Sequence, residues 1–266
     1  MVPCPRPCNV CDRNYSCNDD PGVAAFEGRK PIVPSTVAVT PDVLSLPFSP
    51  FEPLQRRYNA ADRLTFHIPL NDAVGATLLG RLGFSPESYL AFNQEGSSTS
   101  YRVDSFCTIR DATFADIASV SSLHYQHVKD QLATSQFISE PKGAPDILGT
   151  TFAQLIENGQ GLLVAEHKGT LVGAIQYGSF MMPDDGKVRR LPPGYAGVIE
   201  WICVAPESRN AGLGSALVSE AICRLRILGT NYVYVCHGTN NRLSTSCFWN
   251  RFNFTPHWVT LEYGLI

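Results

Sequence analysis

A mixed α/β fold, with a mostly antiparallel central sheet flanked by helices, is what this 266-residue sequence predicts, and three observations carry the prediction. Short apolar runs rich in β-branched residues recur along the chain, segments of helical apolar spacing stand between them, and Gly, Asn or Pro marks the joins. Composition is that of a globular protein: hydrophobic residues make up 44%, charged residues 17%, and the formal net charge is −3. Neither a basic excess nor a Lys/Arg run is present, so nucleic acid and membrane surfaces are not expected partners. No stretch of 18 apolar residues occurs, and the opening "MVPCPRPCNVC" has no apolar signal core, so a cytoplasmic protein is expected.

Taken in order, residues 1–60 hold Pro at 3, 5, 7, 21, 31, 34, 41, 47, 50 and 53, which interrupts regular structure and predicts an arm or tail. Cys4, Cys8, Cys11 and Cys17 in this arm are spaced C-x3-C-x2-C-x5-C and could close around zinc. The usual signal is two close pairs separated by a longer loop, so no metal is assigned. The other cysteines, Cys107, Cys203, Cys223, Cys236 and Cys247, lie among apolar segments and are expected to be free thiols.

Residues 61–97 read as a strand "LTFHIPL", a helix "DAVGATLLGRLGF" and a strand "SYLAF", with "NQEGSSTS" as a linker. A second, larger domain covers 105–266. It begins with strand "FCTIR", one or two helices in "TFADIASVSSLHYQHVKDQL" and a helix "FAQLIENG" ending at Gly159. "GLLVAEHKGTLVGAIQYGSF" is a hairpin turning at "HKGT". After the polar loop "MPDDGKVRRLPPG" come the strand "GVIEWICV", the helix "SALVSEAICRLRILG", the strand "NYVYVCHG", the helix "LSTSCFWNRF" and the strand "HWVTLEY".

The chemistry concentrates in "VAPESRNAGLG", Val204 to Gly214. A strand that runs through a Gly-rich turn into a helix presents unpaired backbone N–H groups, a ready phosphate site. A P-loop would need Gly-Lys-Ser/Thr, where Gly214-Ser215-Ala216 stand, and a dinucleotide fingerprint would need a third Gly where Leu217 stands. What fits is Arg-x-x-Gly-x-Gly, as Arg209, Gly212 and Gly214.

With this spacing, "WICVAPESRNAGLGSALVSEA" resembles the acyl-CoA-binding signature of the GNAT superfamily of N-acetyltransferases, and the order of elements across 105–266 is similar to that family's. The resemblance implies the GNAT fold and acetyl-CoA as cosubstrate. It implies a backbone N–H near Cys203 or Val204 at the thioester carbonyl, and the pyrophosphate held by Arg209, Asn210, Ala211, Gly212, Leu213, Gly214 and Ser215. Asn241 and Trp249 would complete the coenzyme site from the other side. Two positions depart from the family pattern. Trp249 stands where many relatives carry a tyrosine that protonates the departing thiolate, which leaves the general acid open, and Asn253 replaces a glycine, which Asn tolerates.

Set against itself at an offset of 170 residues, the chain aligns "TFHIPLNDAVGATLLGRLGFSPESYLAF" with "VCHGTNNRLSTSCFWNRFNFTPHWVTLE", matching His67/His237, Asn71/Asn241, Arg81/Arg251, Phe84/Phe254 and Pro86/Pro256. The first unit therefore resembles the closing half of a GNAT domain and is expected to pack against the intact domain or cap its sheet without binding CoA.

Acetyl transfer to an amine requires a base, a polarised carbonyl and a proton for the thiolate. Glu200 is the candidate base, because strict alternation would place it with Val198, Ile202 and Val204 among apolar neighbours that raise its pKa. His237 is the alternative base, and Tyr195, Tyr232 and Tyr234 are the candidate phenols, with Ser246 weaker. Buried positions for Cys203 and Cys236 favour direct transfer over an acyl-cysteine. The acceptor is left open between a small-molecule amine and a peptide or protein amine, as is a homodimer. A catalytically silent acyl-CoA-binding or protein-interaction module of the same fold is the alternative.

Overall fold

The computed structural model describes residues 63–94, 107–132, 144–186, 189–239 and 245–264. The cysteine cluster of the Pro-rich arm and Asn241 lie outside the described residues. Strands β1 (Arg63–Pro69), β2 (Ser85–Gln94), β3 (Thr108–Asp111), β4 (Gly161–His167), β5 (Thr170–Met182), β6 (Gly194–Val204), β7 (Tyr232–Gly238) and β8 (Thr255–Gly264) form one sheet in the order β1-β8-β2-β7-β6-β5-β4-β3. Its described pairings are antiparallel apart from β6 with β7. The mixed, mostly antiparallel sheet of the sequence reading is thus observed.

Helices α1 (Ala73–Arg81), α2 (Ile117–Leu132), α3 (Ala144–Glu157), α4 (Leu213–Ile227) and α5 (Thr245–Asn250) connect and cover the strands. Apolar residues at helical spacing on α4, among them Leu213, Leu217, Ala221 and Leu225, bury against Leu163, Ile175, Ile199, Val233 and Val235, joined by Trp249, Phe252 and Phe254. On the other face Val120 of α2 and Phe152 and Leu155 of α3 pack on Leu162, Val164, Ala174 and Cys203. The "HKGT" turn is tight because Lys168 (φ 49°) and Gly169 (φ 77°) both take left-handed backbone, as a two-residue hairpin loop requires. Helix α3 begins two turns before the predicted "FAQLIENG". Pro145 lies in its first turn, where a missing N–H costs no helical bond. No described helix is long and apolar enough to cross a membrane.

The N-terminal unit does more than pack against the sheet: β2 lies between β7 and β8, and β1 pairs with the far edge of β8. At the offset of 170, β2 (85–94) corresponds to β8 (255–264), and Gly83 (φ 91°) to Asn253 (φ 57°). The helix-closing bonds Gly83 N–H to Gly80 O and Phe84 N–H to Leu79 O recur as Asn253 to Asn250 and Phe254 to Trp249. Even the irregularities correspond, since the β2·β8 register skips Glu87 on one strand and His257 on the other, on either side of the Tyr89–Val259 pair.

Burial of histidine gives the fold a pH dependence. His124 of α2 is 4% exposed, lies 4.3 Å from the Trp201 ring and meets Phe152 edge-on, and its Nδ1 has no hydrogen-bond partner among the described residues. Burial, with the neighbouring His127 second, lowers its pKa from 6.5 to about 4. The unfolded chain therefore takes up a proton as pH falls through 6.5 while the folded chain does not, so stability is lost between pH 6.5 and about 4, by up to about 3 kcal/mol. A thermal midpoint level above pH 7 and falling steadily below pH 6 is expected, and His124→Phe should flatten that decline.

Candidate active site

The site begins where two strands part. β6 and β7 pair over Ala196↔Tyr232, Gly197↔Val233, Val198↔Tyr234 and Ile199↔Val235, and then diverge while each continues. At the divergence β6 carries a bulge. Tyr177 faces Ile199 and Gln176 faces Trp201, so Glu200 has no opposite residue on β5. The extra residue changes which side chains share a face and corrects the alternation read from sequence. Ile202 and Val204 pack on the α4 core with Ile199, whereas Trp201 and Cys203 enter the core beneath α2 and α3. Glu200 is separated from Ile202 and Val204. It is exposed rather than enclosed by apolar neighbours, and its charge bears on Tyr234 and Cys236 of β7.

Beyond the split, Ala205 N–H binds Val172 O of β5, so alternation turns the Val204 N–H toward the edge that β7 has left. The chain then makes a turn with left-handed backbone at Asn210 (φ 65°) and Gly212 (φ 78°) and enters α4 at Leu213. The first bond of that helix runs from Ala216 N–H to Gly212 O, so the N–H groups of Leu213, Gly214 and Ser215 have no acceptor within the helix. Leu213 and Ser215 bury their side chains, which leaves backbone to face a ligand, with the positive helix end behind it. A methyl group on Gly214 would meet only Phe248 at 3.5 Å and Ile202 at 3.8 Å, ordinary contacts, so the fold itself does not demand glycine there. Gly212 is different. Nothing crowds it, yet its φ of 78° strains any other residue. Gly212→Ala is therefore expected to destabilise the fold by about 1 kcal/mol and Gly214→Ala by less, measured by thermal unfolding.

Arg209 works inside the chain. Its Nε donates to Val204 O at 3.1 Å, clipping the turn to the strand it leaves, and its Nη2 donates to Asp130 of α2 at 2.8 Å. Burial pushes the Cys203 thiol up to about 12, so it stays neutral.

The structure separates the three residues expected to be catalytic. Tyr234 shares its face with Val198 and with Glu200, whereas His237, three residues on, belongs to the opposite face, buried against Tyr89 with Nδ1 3.4 Å from Gly238 O. Burial lowers its pKa. Geometry also ranks the phenols. The Tyr195 hydroxyl is 2.8 Å from Ser179 Oγ and Tyr232 donates to Pro192 O at 2.6 Å, while no described residue makes such a bond to the Tyr234 hydroxyl. Burial first, then Glu200, raise the Tyr234 pKa well above the ordinary phenol value, so it keeps its proton.

Trp249, expected beside the coenzyme, is instead 5% exposed in the α4 core, with ring centroids 5.4 Å from Phe254 and 5.0 Å from Phe248. The preceding residue, Phe248, reaches the site, its ring packed over Gly214. The sequence reading missed it, and the apolar pair Phe248-Trp249 gave no sign of which ring faces the helix entrance. Among the described residues no group of His, Cys, Asp and Glu could hold a metal ion.

Comparison with known proteins agrees with this geometry. Residues 126–254 match the family described as Acetyltransferase (GNAT) family. Among solved structures, a GCN5-related N-acetyltransferase from Sphaerobacter thermophilus is similar at 16% identity and a TM-score of 0.53, over 79% of this chain and 64% of that one. A tandem GNAT protein from the clavulanic acid biosynthesis pathway is similar at 15% identity and 0.51, over 80% and 66%. A GNAT-family acetyltransferase from Colwellia psychrerythraea is similar at 14% and 0.50, over 74% and 63%. The chain thus spans just under two thirds of the length of each, and identities this low speak to fold alone. No curated protein sequence matches.

Proposed function

We propose that this chain, whose residues 126–254 match the acetyltransferase (GNAT) family, transfers an acetyl group from acetyl-CoA to a primary amine by direct attack. One observation carries the proposal. The gap between β6 and β7 opens at Glu200, beside the amide-lined entrance of α4, so an acyl donor and an acceptor can meet at one carboxylate. The pyrophosphate would rest on the N–H groups of Leu213, Gly214 and Ser215, within the turn that Arg209 holds closed. Pantetheine would take the edge of β6 that β7 leaves, with the Val204 N–H at the thioester carbonyl.

The amine nitrogen bonds to the carbonyl carbon and the carbon–sulfur bond breaks. Glu200 takes the amine proton, directly or through a water, and the Tyr234 hydroxyl gives a proton to the thiolate. Products are the amide and free CoA. No covalent acyl-enzyme is required, in keeping with the neutral, buried Cys203, although Cys236, expected to be buried as well, is exposed.

Calorimetry with acetyl-CoA, followed by a thiol-release assay over an amine panel, tests this reading. Binding with acetyl-CoA-dependent, amine-dependent thiol release is expected. Binding without release over the panel would leave a silent acyl-CoA-binding module, and no binding at millimolar acetyl-CoA would end the assignment.

A further inference from the structure

The face that carries Glu200 and Tyr234 continues past β7 over β2, β8 and β1. Pairing aligns Cys236, Leu90, Trp258 and Pro69 in one row across the four strands, and Gly238, Ser88, Thr260 and His67 in the next. Three strand spacings from β7 to β1 amount to about 14 Å. Leu191, from the loop between β5 and β6, packs on this surface with Tyr234 and Trp258.

Its neighbour Arg190 reaches the far end, where Nη1 donates to His67 Nδ1 at 3.1 Å, and that same nitrogen lies 3.0 Å from Thr260 Oγ1. Burial and the guanidinium itself lower the His67 pKa to about 4, so at neutral pH the ring offers a lone pair to Arg190. Arg110, Arg189, Arg209 and Arg224 all have carboxylate partners, and no carboxylate of the described residues pairs with Arg190. Both Arg190 and Glu200 act electrostatically on Tyr234 and Cys236, so this cation and that carboxylate border one surface. An open, shallow depression bordered by Pro69, Leu70, Asn71, Pro256, His257 and Trp258 lies along the same strands.

The geometry points to an acceptor that carries a carboxylate as well as its amine, with the amine at Glu200, an apolar body along the half-buried Tyr234, Leu191 and Trp258 that cover Leu90, and the carboxylate on Arg190. His67 is then a positioning residue, through which the N-terminal unit takes part in choosing the acceptor. The inference rests on the transferase reading above and names the class of its substrate.

The test compares ω-amino carboxylic acids with alkylamines of equal chain length. The acids are expected to show at least tenfold higher kcat/KM. Arg190→Gln should erase that preference through the KM of the acid, with kcat and the KM for acetyl-CoA held. His67→Phe should act like Arg190→Gln, and His67→Asn, which keeps an acceptor near the Nδ1 position, should restore most of the preference. Unfolding midpoints establish that each variant is folded. Equal use of the two series, or an Arg190→Gln effect that is the same on both, overturns the inference while the transferase reading stands. Binding to the CoA-saturated protein separates the two claims: acids that bind through Arg190 without being acetylated end the transferase reading and leave the anion site. Neither binding nor acetylation of either series overturns both.

Discussion

A chain lacking residues 63–94 is expected to be unfolded or insoluble, although it keeps the whole of the family-matched segment. Strand β8 pairs with β1 and β2 alone, so the deletion leaves it with no strand partner among the described residues, and β7 loses the neighbour on its outer edge. Leu64, Leu79, Phe84, Leu90 and Phe92 are all buried, and at about 2 kcal/mol each their contribution is about 10 kcal/mol, comparable with the 5–15 kcal/mol net stability of a typical protein. Asn93 adds a polar clamp. Its Nδ2 donates to Phe252 O, and its Oδ1 accepts from Arg226 Nη2 at 2.8 Å, tying β2 to the turn after α5 and to α4. Circular dichroism and size exclusion of residues 95–266 test the expectation. A cooperative, monomeric domain that binds acetyl-CoA would refute it, and co-expression with residues 1–94 as a separate chain should recover folded protein.

Glu200→Gln should lower kcat by a factor of about 100 or more, the usual share of a positioned base, with the KM for acetyl-CoA unchanged. The bulge that exposes Glu200 is made by backbone pairing and not by its carboxylate, so the amide should preserve the strand. Tyr234→Phe should lower kcat by about tenfold or more and leave the packing with Phe180 and Phe92 in place. Because Tyr234 keeps its proton to high pH, kcat should show no phenol ionisation below pH 9. Unchanged kcat in Glu200→Gln would remove the carboxylate from the mechanism.

These assignments show what the sequence could and could not convey. Apolar periodicity located every described strand and helix, because burial of one face leaves a period in the residues themselves. The bulge leaves no such mark. One extra residue in "VIEWICV" shifts the faces of everything after it, and only the partner strand reveals it, which is why Glu200 was grouped with Ile202 and Val204. Helix α3 starts earlier than the predicted "FAQLIENG", and its Pro145 is harmless because it lies in the first turn. The insertion of β2 between β7 and β8 joins residues about 140 to 180 apart, and no local pattern specifies such a pairing. Trp249 was assigned by its place in the Phe248-Trp249 pair, but the choice between core and cleft depends on how the short α5 is rotated. The reaction's candidate groups were legible as residue types; their grouping on faces was not.

The brief parallel contact between β6 and β7 has a mechanical consequence. It joins two antiparallel slabs, β1-β8-β2-β7 and β6-β5-β4-β3, through Ala196–Ile199 and Tyr232–Val235, while ladders within the slabs are mostly longer. Strand pairing thus ties each slab internally more than it ties the two together, and α4, packed on Ile199 of one slab and Val233 of the other, bridges them. The seam ends at Ile199, so Glu200 is the first residue of β6 beyond the ladder, whereas Tyr234 is held within it, opposite Val198.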